Sequence, residues 1–221
     1  MSGSVLLVGA GPMAIEYVKV LKKFEKEIIV VGRGKQSAQN FKDATGINVF
    51  LGGISRWVRE NKVLPAYAIV AVTENELGSA TELLIRRGVK FILVEKPGGF
   101  NFNEIRNISA SAMARGAEVF VGYNRRFYAS VLKAQEIIAE DKGVISFNFE
   151  FTEWDHVVKK LKKKKGIKEK WFLHNSTHIV DLAFFLGGWP RQIDCYTAGG
   201  LSWHRSASIF AGAGISKKGA L

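Results

Sequence analysis

The first 122 residues alternate short apolar runs with segments whose apolar residues recur at helical spacing. Runs such as Val5–Val8 and Tyr67–Thr73 are typical of strands that are buried on both faces. The predicted strands are 5–8, 28–31, 48–51, 67–73, 91–94 and 118–122, and the predicted helices are 13–24, 35–45, 54–61, 75–88 and 103–115. This alternation predicts βαβ units with right-handed crossovers, and therefore a doubly wound parallel α/β sheet.

The pattern changes after residue 122. Helices are predicted at 128–140 and 171–186, and strands at 144–154, 193–197 and 206–211. The run at 144–154 alternates aromatic and polar residues, as a strand with one buried face does. We therefore expect two domains, residues 1–122 and residues 123–221, the second being α+β with an open, mainly antiparallel sheet. The last strand pattern continues over 209–215 and enters a predicted turn at 216–219, so either the domain is truncated or another subunit covers the open edge.

The turn after the first strand reads Gly9-x-Gly11-x-x-Ala14, which is the dinucleotide-binding fingerprint of Rossmann domains. The first glycine permits a tight turn, the second lets the backbone approach a pyrophosphate, and the alanine lets helix and strand pack closely. Met13 begins the predicted helix, whose N-terminal N–H groups attract phosphates. A cofactor site is the favoured interpretation, and an ordinary strand–turn–helix is the alternative.

The end of the second predicted strand indicates which dinucleotide is preferred. An acidic residue there binds the ribose 2′-hydroxyl of NAD, but this chain has Arg33 and Lys35 instead. Cations attract the 2′-phosphate of NADP. We therefore expect NADP(H) to be favoured over NAD(H), the alternative being a solvent-exposed basic turn.

Ligands of such sheets lie beyond the carboxyl ends of the strands, so the residues that follow each strand are the candidates for chemistry. Small residues at 71–73 would let a cofactor lie close. Lys96, within Glu95-Lys96-Pro97, is a candidate proton carrier, or simply a solvated lysine beside Glu95. The segment Asn124-Arg125-Arg126 suits a phosphate or carboxylate, or forms a solvated hinge.

The predicted helix at 171–186 places His174, His178 and Asp181 on one face. This spacing is compatible with a metal site, with a histidine general acid/base, or with structural hydrogen bonding. The metal interpretation is the weakest because the chain offers no obvious further ligand, so we predict no metal.

Composition, charge and cysteine content restrict the classes of protein to which this chain can belong. The 221 residues are 47% hydrophobic and 24% charged, and no apolar run is long enough to span a membrane. The start of the chain lacks the features of a signal peptide, and Cys195 is the single cysteine, so we expect a cytoplasmic protein. The net charge of +12 owes much to eight lysines within 159–170, which form a solvated loop or contact an anionic substrate. Nucleic acid is not an expected partner, because no recognised nucleic-acid-binding motif accompanies the lysines.

Four motifs occur here in the order and spacing of one family: the Gly9 to Ala14 turn, Glu95-Lys96-Pro97, Asn124 to Phe127, and His178-x-x-Asp181. The chain resembles the glucose–fructose oxidoreductase / inositol dehydrogenase / rhizopine-catabolism (Gfo/Idh/MocA) family from Val5 to about Gly188. The resemblance implies a Rossmann domain, a substrate domain whose open sheet forms a homo-oligomer interface, and NAD(P)-linked oxidation or reduction of a sugar, cyclitol or sugar nucleotide.

The resemblance also implies residue roles. Lys96 contacts substrate and cofactor, and His178 exchanges the proton while hydride passes to or from the nicotinamide. The predicted cofactor-binding residues are Gly9, Gly11, Pro12, Met13, Ala14, Arg33, Lys35, Thr73, Asn75, Glu95, Lys96 and Arg125. The predicted substrate-binding residues are Lys96, Asn124, Arg126, His174, Asn175 and His178.

Two positions depart from the family pattern. His174 stands where many members carry an aspartate, and Asn175 is its possible substitute; the segment Glu74 to Gly78 lacks the proline and histidine of the usual motif. These departures motivate an alternative function, a catalytically inactive dinucleotide-binding regulator or scaffold of the same fold.

Overall fold

The computed structural model describes residues 3–203 and 206–221. The chain forms two compact units, Met1–Gly122 and Tyr123–Leu221, called here the N-terminal and C-terminal units. Among the described residues, no helix is both long and apolar enough to cross a membrane.

The N-terminal unit is built on a six-stranded sheet. Its strands are β1 (Val5–Val8), β2 (Ile28–Gly32), β3 (Val49–Leu51), β4 (Tyr67–Val70), β5 (Phe91–Val94) and β6 (Glu118–Val121). The order is β3-β2-β1-β4-β5-β6 and every neighbouring pair is parallel. This is the doubly wound Rossmann order, so the predicted fold class of this unit is confirmed. The strand order reverses between β1 and β4, which is where such sheets bind their ligands.

Five helices cover the sheet: α1 (Pro12–Lys23), α2 (Lys35–Thr45), α3 (Gly53–Glu60), α4 (Leu77–Arg86) and α5 (Phe102–Arg115). Successive residues of β1 enter opposite layers, as the pleat of a strand requires. Leu6 belongs to a cluster on one face of the sheet, whereas Leu7 packs with Val18 and Phe41 on the other. All the predicted strands and helices of this unit are present, with ends displaced by a few residues.

The C-terminal unit contains α6 (Ala129–Glu140), α7 (Asp155–Lys160) and α8 (Thr177–Gly187). A π-helical turn, Phe172–Ser176, leads directly into α8. Strands β7 (Pro190–Ala198) and β8 (Ile209–Ser216) form an antiparallel two-stranded sheet, as predicted in kind, although β8 begins three residues later than expected.

The strand predicted at 144–154 was wrong: the segment is irregular. Phe147 and Phe149 both contact the ring of Phe184 edge-on, which explains the alternating aromatic pattern. A strand also needs a ladder of backbone hydrogen bonds. Here the Phe147 N–H donates to the Leu221 carbonyl at 2.7 Å, and the Leu221 N–H donates to the Ile145 carbonyl at 3.1 Å. These two bonds join the segment to Leu221 without making it a strand.

The lysine-rich segment 159–170 is more ordered than the predicted loop. Its first two lysines end α7, and Lys168–Lys170 forms a 3₁₀ turn. Ile167 is buried, and the Lys168 ammonium donates to the Lys159 carbonyl at 2.6 Å. The apolar Ile167 side chain therefore anchors the segment while most of its lysines stay exposed.

Candidate active site

The turn after β1 can accept only glycine at its first position. Gly9 has φ +123°, and a Cβ built there would overlap the carbonyl oxygen of Ala71. The overlap arises because β1 and β4 are neighbours: the Ala71 N–H donates to the Val8 carbonyl at 2.7 Å, while on the other side the Gly9 N–H donates to the Val31 carbonyl of β2 at 2.8 Å. Gly9 thus lets the chain turn directly above the strand pair where the order of the sheet reverses.

The environment of Gly11 differs from that of Gly9. It precedes Pro12 at the start of α1, and no atom of the described residues lies within 4 Å of a Cβ built on it. The space over the turn is therefore open, as the close approach of a pyrophosphate requires. Ala14 is fully buried against the sheet, whereas Met13 is exposed. These three environments fit the roles expected of a dinucleotide fingerprint, and the residues present suit such a cofactor.

Arg33 follows β2 and forms an ion pair with Glu76, which lies in a 3₁₀ turn (Glu74–Glu76) after β4. The pKa of Arg33 is raised, chiefly by this bond to the Glu76 carboxylate. Lys35 begins α2 and is exposed. Sequence reasoning did not find Glu76, because no motif links a residue after β4 to one after β2.

Thr73 and Asn75 come together after β4. The Thr73 hydroxyl donates to the Asn75 side-chain oxygen at 2.9 Å, and the Glu76 N–H donates to the Thr73 carbonyl at 2.8 Å. These bonds give the turn a definite shape. The structure therefore places both predicted cofactor residues at the edge of the sheet that also carries the fingerprint turn.

The Glu95-Lys96-Pro97 motif follows β5 at the same edge. The Glu95 carboxylate accepts a 2.6 Å hydrogen bond from the Tyr17 hydroxyl, and Lys96 is half-buried. Burial, followed by the bond to Glu95, raises the pKa of Tyr17 well above its ordinary value. The Lys96–Pro97 peptide bond is cis. Tyr17 is a partner that the sequence did not reveal, since its position on α1 gave no sign of a contact 78 residues away.

In the C-terminal unit, Arg126 and Asp181 form a two-pronged ion pair, with Nε of Arg126 donating to Oδ2 of Asp181 at 2.7 Å. The Asp181 side chain is 7% exposed and that of Arg126 is 27% exposed. The guanidinium also lies 4.8 Å from the ring centre of Phe185. The bond to Asp181 raises the pKa of Arg126. Asp181 is thus held by arginine, and no group of metal ligands occurs among the described residues.

The two histidines lie on either side of a change in helix type. His174 is buried in the π-helical turn, and His178 is in the first turn of α8, with its ring edge-on to Tyr123 at 5.8 Å. The continuous α-helix predicted here is therefore interrupted. π-Helical turns occur frequently at functional sites.

Glu153 holds that turn in place. Its carboxylate accepts hydrogen bonds from the Asn175 amide at 2.8 Å and from the Ser176 hydroxyl at 3.0 Å. Sequence reasoning missed Glu153, because it lay within the predicted strand at 144–154. Asn124, Arg125 and Arg126 share a 3₁₀ turn, Asn124–Phe127, at the start of the same unit.

The sequence pattern of the Gfo/Idh/MocA family, described as "Oxidoreductase family, NAD-binding Rossmann fold", matches residues 4–123. The chain belongs to this oxidoreductase family. The match spans more than half of the chain and includes the fingerprint turn and the Glu95-Lys96-Pro97 motif. The resemblance drawn from those motifs is confirmed.

Individual relatives are distant. A trans-1,2-dihydrobenzene-1,2-diol dehydrogenase of Sus scrofa is 27% identical over 151 residues, which are 65% of this chain and 44% of that protein. The WlbA dehydrogenase of Chromobacterium violaceum, solved with NADH and UDP-GlcNAcA, is 16% identical with a TM-score of 0.78 over 100% of this chain and 66% of that one. For an oxidoreductase of Agrobacterium radiobacter, solved with NAD⁺, L-tartaric acid and magnesium, identity is 15%, TM-score 0.76, and coverage 100% of this chain and 65% of that one. The chain therefore spans about two thirds or less of these relatives, and the structural likeness shows the fold.

Proposed function

We propose that this protein is an NAD(P)-dependent oxidoreductase that transfers hydride between nicotinamide and a secondary alcohol or ketone of a sugar, cyclitol or sugar nucleotide. The observation that carries the proposal is the fingerprint turn at the reversal point of the sheet. Gly9 makes the turn possible there, and the space above Gly11 is open to a pyrophosphate. Membership of the oxidoreductase family supports the reaction type.

The cofactor would be held by the residues that follow β1, β2, β4 and β5. The backbone at Gly9 to Met13 would bind the pyrophosphate through the N-terminus of α1. We propose that Arg33 and Lys35 favour NADP(H), since their charges complement a 2′-phosphate. NAD(H) is the alternative cofactor, and the WlbA structure contains NADH.

When bound, the nicotinamide donates or accepts the hydride. Oxidation of a secondary alcohol also releases the hydroxyl proton, and reduction of the ketone consumes one, so the protein needs a group that exchanges protons. We assign this exchange to His178, and contact with the substrate hydroxyl to Lys96. Imidazole suits the proton exchange because its ordinary pKa lies near neutrality.

Our proposal for the substrate class rests on the charged groups of the C-terminal unit. We propose that Asn124, Arg126, His174 and Asn175 shape the substrate site, with Arg126 fixed by its pair with Asp181. The lysine-rich segment 159–170 adds positive charge within the same unit. An anionic substrate, such as a phosphorylated or nucleotide-linked sugar, complements this positive charge. The WlbA dehydrogenase was solved with UDP-GlcNAcA.

The decisive experiment compares Lys96→Met with wild-type protein on a panel of UDP-sugars, monosaccharides and cyclitols. We expect the variant to lose turnover while binding NADPH nearly as well as wild type. Lys62→Met, which removes an exposed lysine of the same unit, is the control and should keep full activity. Unchanged turnover in Lys96→Met would refute the catalytic assignment. Cofactor binding without turnover on any substrate would favour the inactive regulator.

We further propose a homo-oligomer assembled through the C-terminal sheet. Tyr196 and Ile209 lie on the same face of the sheet formed by β7 and β8, and they expose apolar side chains that a second subunit would cover. Light scattering coupled to size-exclusion chromatography tests the proposal, and Tyr196→Asp should shift the mass toward the monomer. A monomeric wild-type protein would refute it.

A further inference from the structure

We propose that Glu76 sets the balance between NADP(H) and NAD(H) by competing with the 2′-phosphate for Arg33 and by receiving the 2′-hydroxyl of NAD. The inference rests on the proposed cofactor site. It assigns to a residue after β4 the acidic role that such folds usually place after β2.

The position of the ion pair supports this role. Arg33 follows β2 and Glu76 lies in the turn after β4, and β1 lies between those two strands in the sheet. The pair therefore bridges the carboxyl end of β1, directly after which the fingerprint turn begins. The aliphatic part of the Arg33 side chain lies against the first residue of α3, because a Cβ built on Gly53 would overlap the Cγ and Cδ atoms of Arg33.

The exposure of the two partners makes the exchange of anions feasible. The Arg33 side chain is 62% exposed, whereas that of Glu76 is 22% exposed. Exposed ion pairs are weak, so a phosphate dianion with several acceptor oxygens can displace a carboxylate from the guanidinium. The more buried carboxylate would stay close to the phosphate and repel it. A ribose hydroxyl carries no charge and donates to a carboxylate, which can accept from a guanidinium and a hydroxyl together.

The test measures cofactor binding to the full chain by calorimetry, so it does not depend on turnover. The ligands are NADPH and NADH, and then adenosine 2′,5′-bisphosphate and 5′-AMP, which differ by the 2′-phosphate alone. The variants are Glu76→Gln, Arg33→Met and the double variant. Glu60→Gln is the matched control, since it removes the carboxylate of another exposed Arg–Glu pair, about 10 Å along α3 from Gly53.

Glu76→Gln should raise the preference for NADPH over NADH, and for the bisphosphate over 5′-AMP, by about tenfold. Arg33→Met should remove most of the preference, and in the double variant the gain from Glu76→Gln should be smaller than in the single variant, because the competition for Arg33 is gone while the effects of Glu76 on the phosphate and on the hydroxyl remain. Glu60→Gln should match wild type.

An unchanged preference in Glu76→Gln, or weaker NADPH binding, would overturn the inference while leaving the proposed function intact. Fully additive effects in the double variant would also overturn it, because Glu76 would then not compete with the 2′-phosphate for Arg33. If wild-type protein bound none of the four ligands, the proposed function would fail as well.

Discussion

Replacing Gly9 and Gly11 separately by alanine distinguishes what the fingerprint turn does for folding from what it does for binding. The two glycines are two residues apart, but a methyl group added to each meets a different environment. At Gly9 it overlaps the carbonyl oxygen of Ala71, and at Gly11 it enters space with no described atom within 4 Å. The same substitution should therefore damage stability at one position and cofactor binding at the other.

The cost at Gly9 has two parts. Its φ of +123° lies where side chains are strained, which costs about 1–3 kcal/mol. Overpacking against a backbone oxygen that is fixed in β4 adds about 1–3 kcal/mol. We expect Gly9→Ala to lose about 4 kcal/mol of unfolding free energy, a large part of the total for a domain of this size.

The cost at Gly11 is mainly functional. Its φ is −95°, which alanine adopts without strain, and the loss of a glycine at the start of α1 costs about 1 kcal/mol or less. The added methyl group occupies the space required by the pyrophosphate. We expect NADPH affinity to fall at least about tenfold, equivalent to about 1.4 kcal/mol.

Urea unfolding followed by circular dichroism, together with fluorescence titration of NADPH, measures both effects on the same samples. We expect a lowered unfolding midpoint for Gly9→Ala, and a near-normal midpoint with weak binding for Gly11→Ala. This expectation would be refuted if Gly11→Ala bound NADPH as wild type does, since the open space would then have no role in cofactor binding.

Three further predictions concern the hydrogen bonds around the site. Arg126→Met leaves the buried Asp181 carboxylate without its arginine and should cost about 2–4 kcal/mol in urea unfolding, whereas a loss near zero would contradict the pairing. Tyr17→Phe should lower the free energy of unfolding by about 1–2 kcal/mol at neutral pH, because the hydrogen bond to Glu95 is lost. Burial raises the folded-state pKa of Tyr17, so the stability of the wild-type protein should fall as the pH rises past 10.0, and the stability of the variant should fall less. Glu153→Ala should speed hydrogen exchange in 172–178, and unchanged exchange would show that Glu153 does not hold the π-helical turn.

The fold of the N-terminal unit could be predicted because local patterns and global topology agree there. Each buried strand is a continuous apolar run, and the Gly9 to Ala14 turn marks the start of the first crossover. A helix end was also readable from the sequence at Gly116, which follows the predicted helix 103–115 and adopts a left-handed conformation. The same local rules located the residues that follow each strand, and hence most of the candidate cofactor site.

The contacts that complete the site could not be predicted, because each joins positions far apart in the chain. Glu76 meets Arg33 through the order of the strands, and Tyr17 on α1 meets Glu95, which follows β5 and lies 78 residues further along the chain. The strand predicted at 144–154 failed for a related reason. Its alternating aromatic residues indicate that one face of the segment is buried. Phe147 and Phe149 pack against Phe184, which requires no neighbouring strand. Periodicity records which face is buried but does not identify the partner.

The central claim is that the turn after β1 binds the pyrophosphate of a nicotinamide dinucleotide. A crystal structure of the protein grown with NADP⁺ tests it most directly. We expect the pyrophosphate to lie against the backbone between Gly9 and Met13, with the adenosine ribose beside Arg33 and Glu76. Saturating NADP⁺ that binds elsewhere, or leaves the space over Gly11 filled with solvent, would contradict the claim.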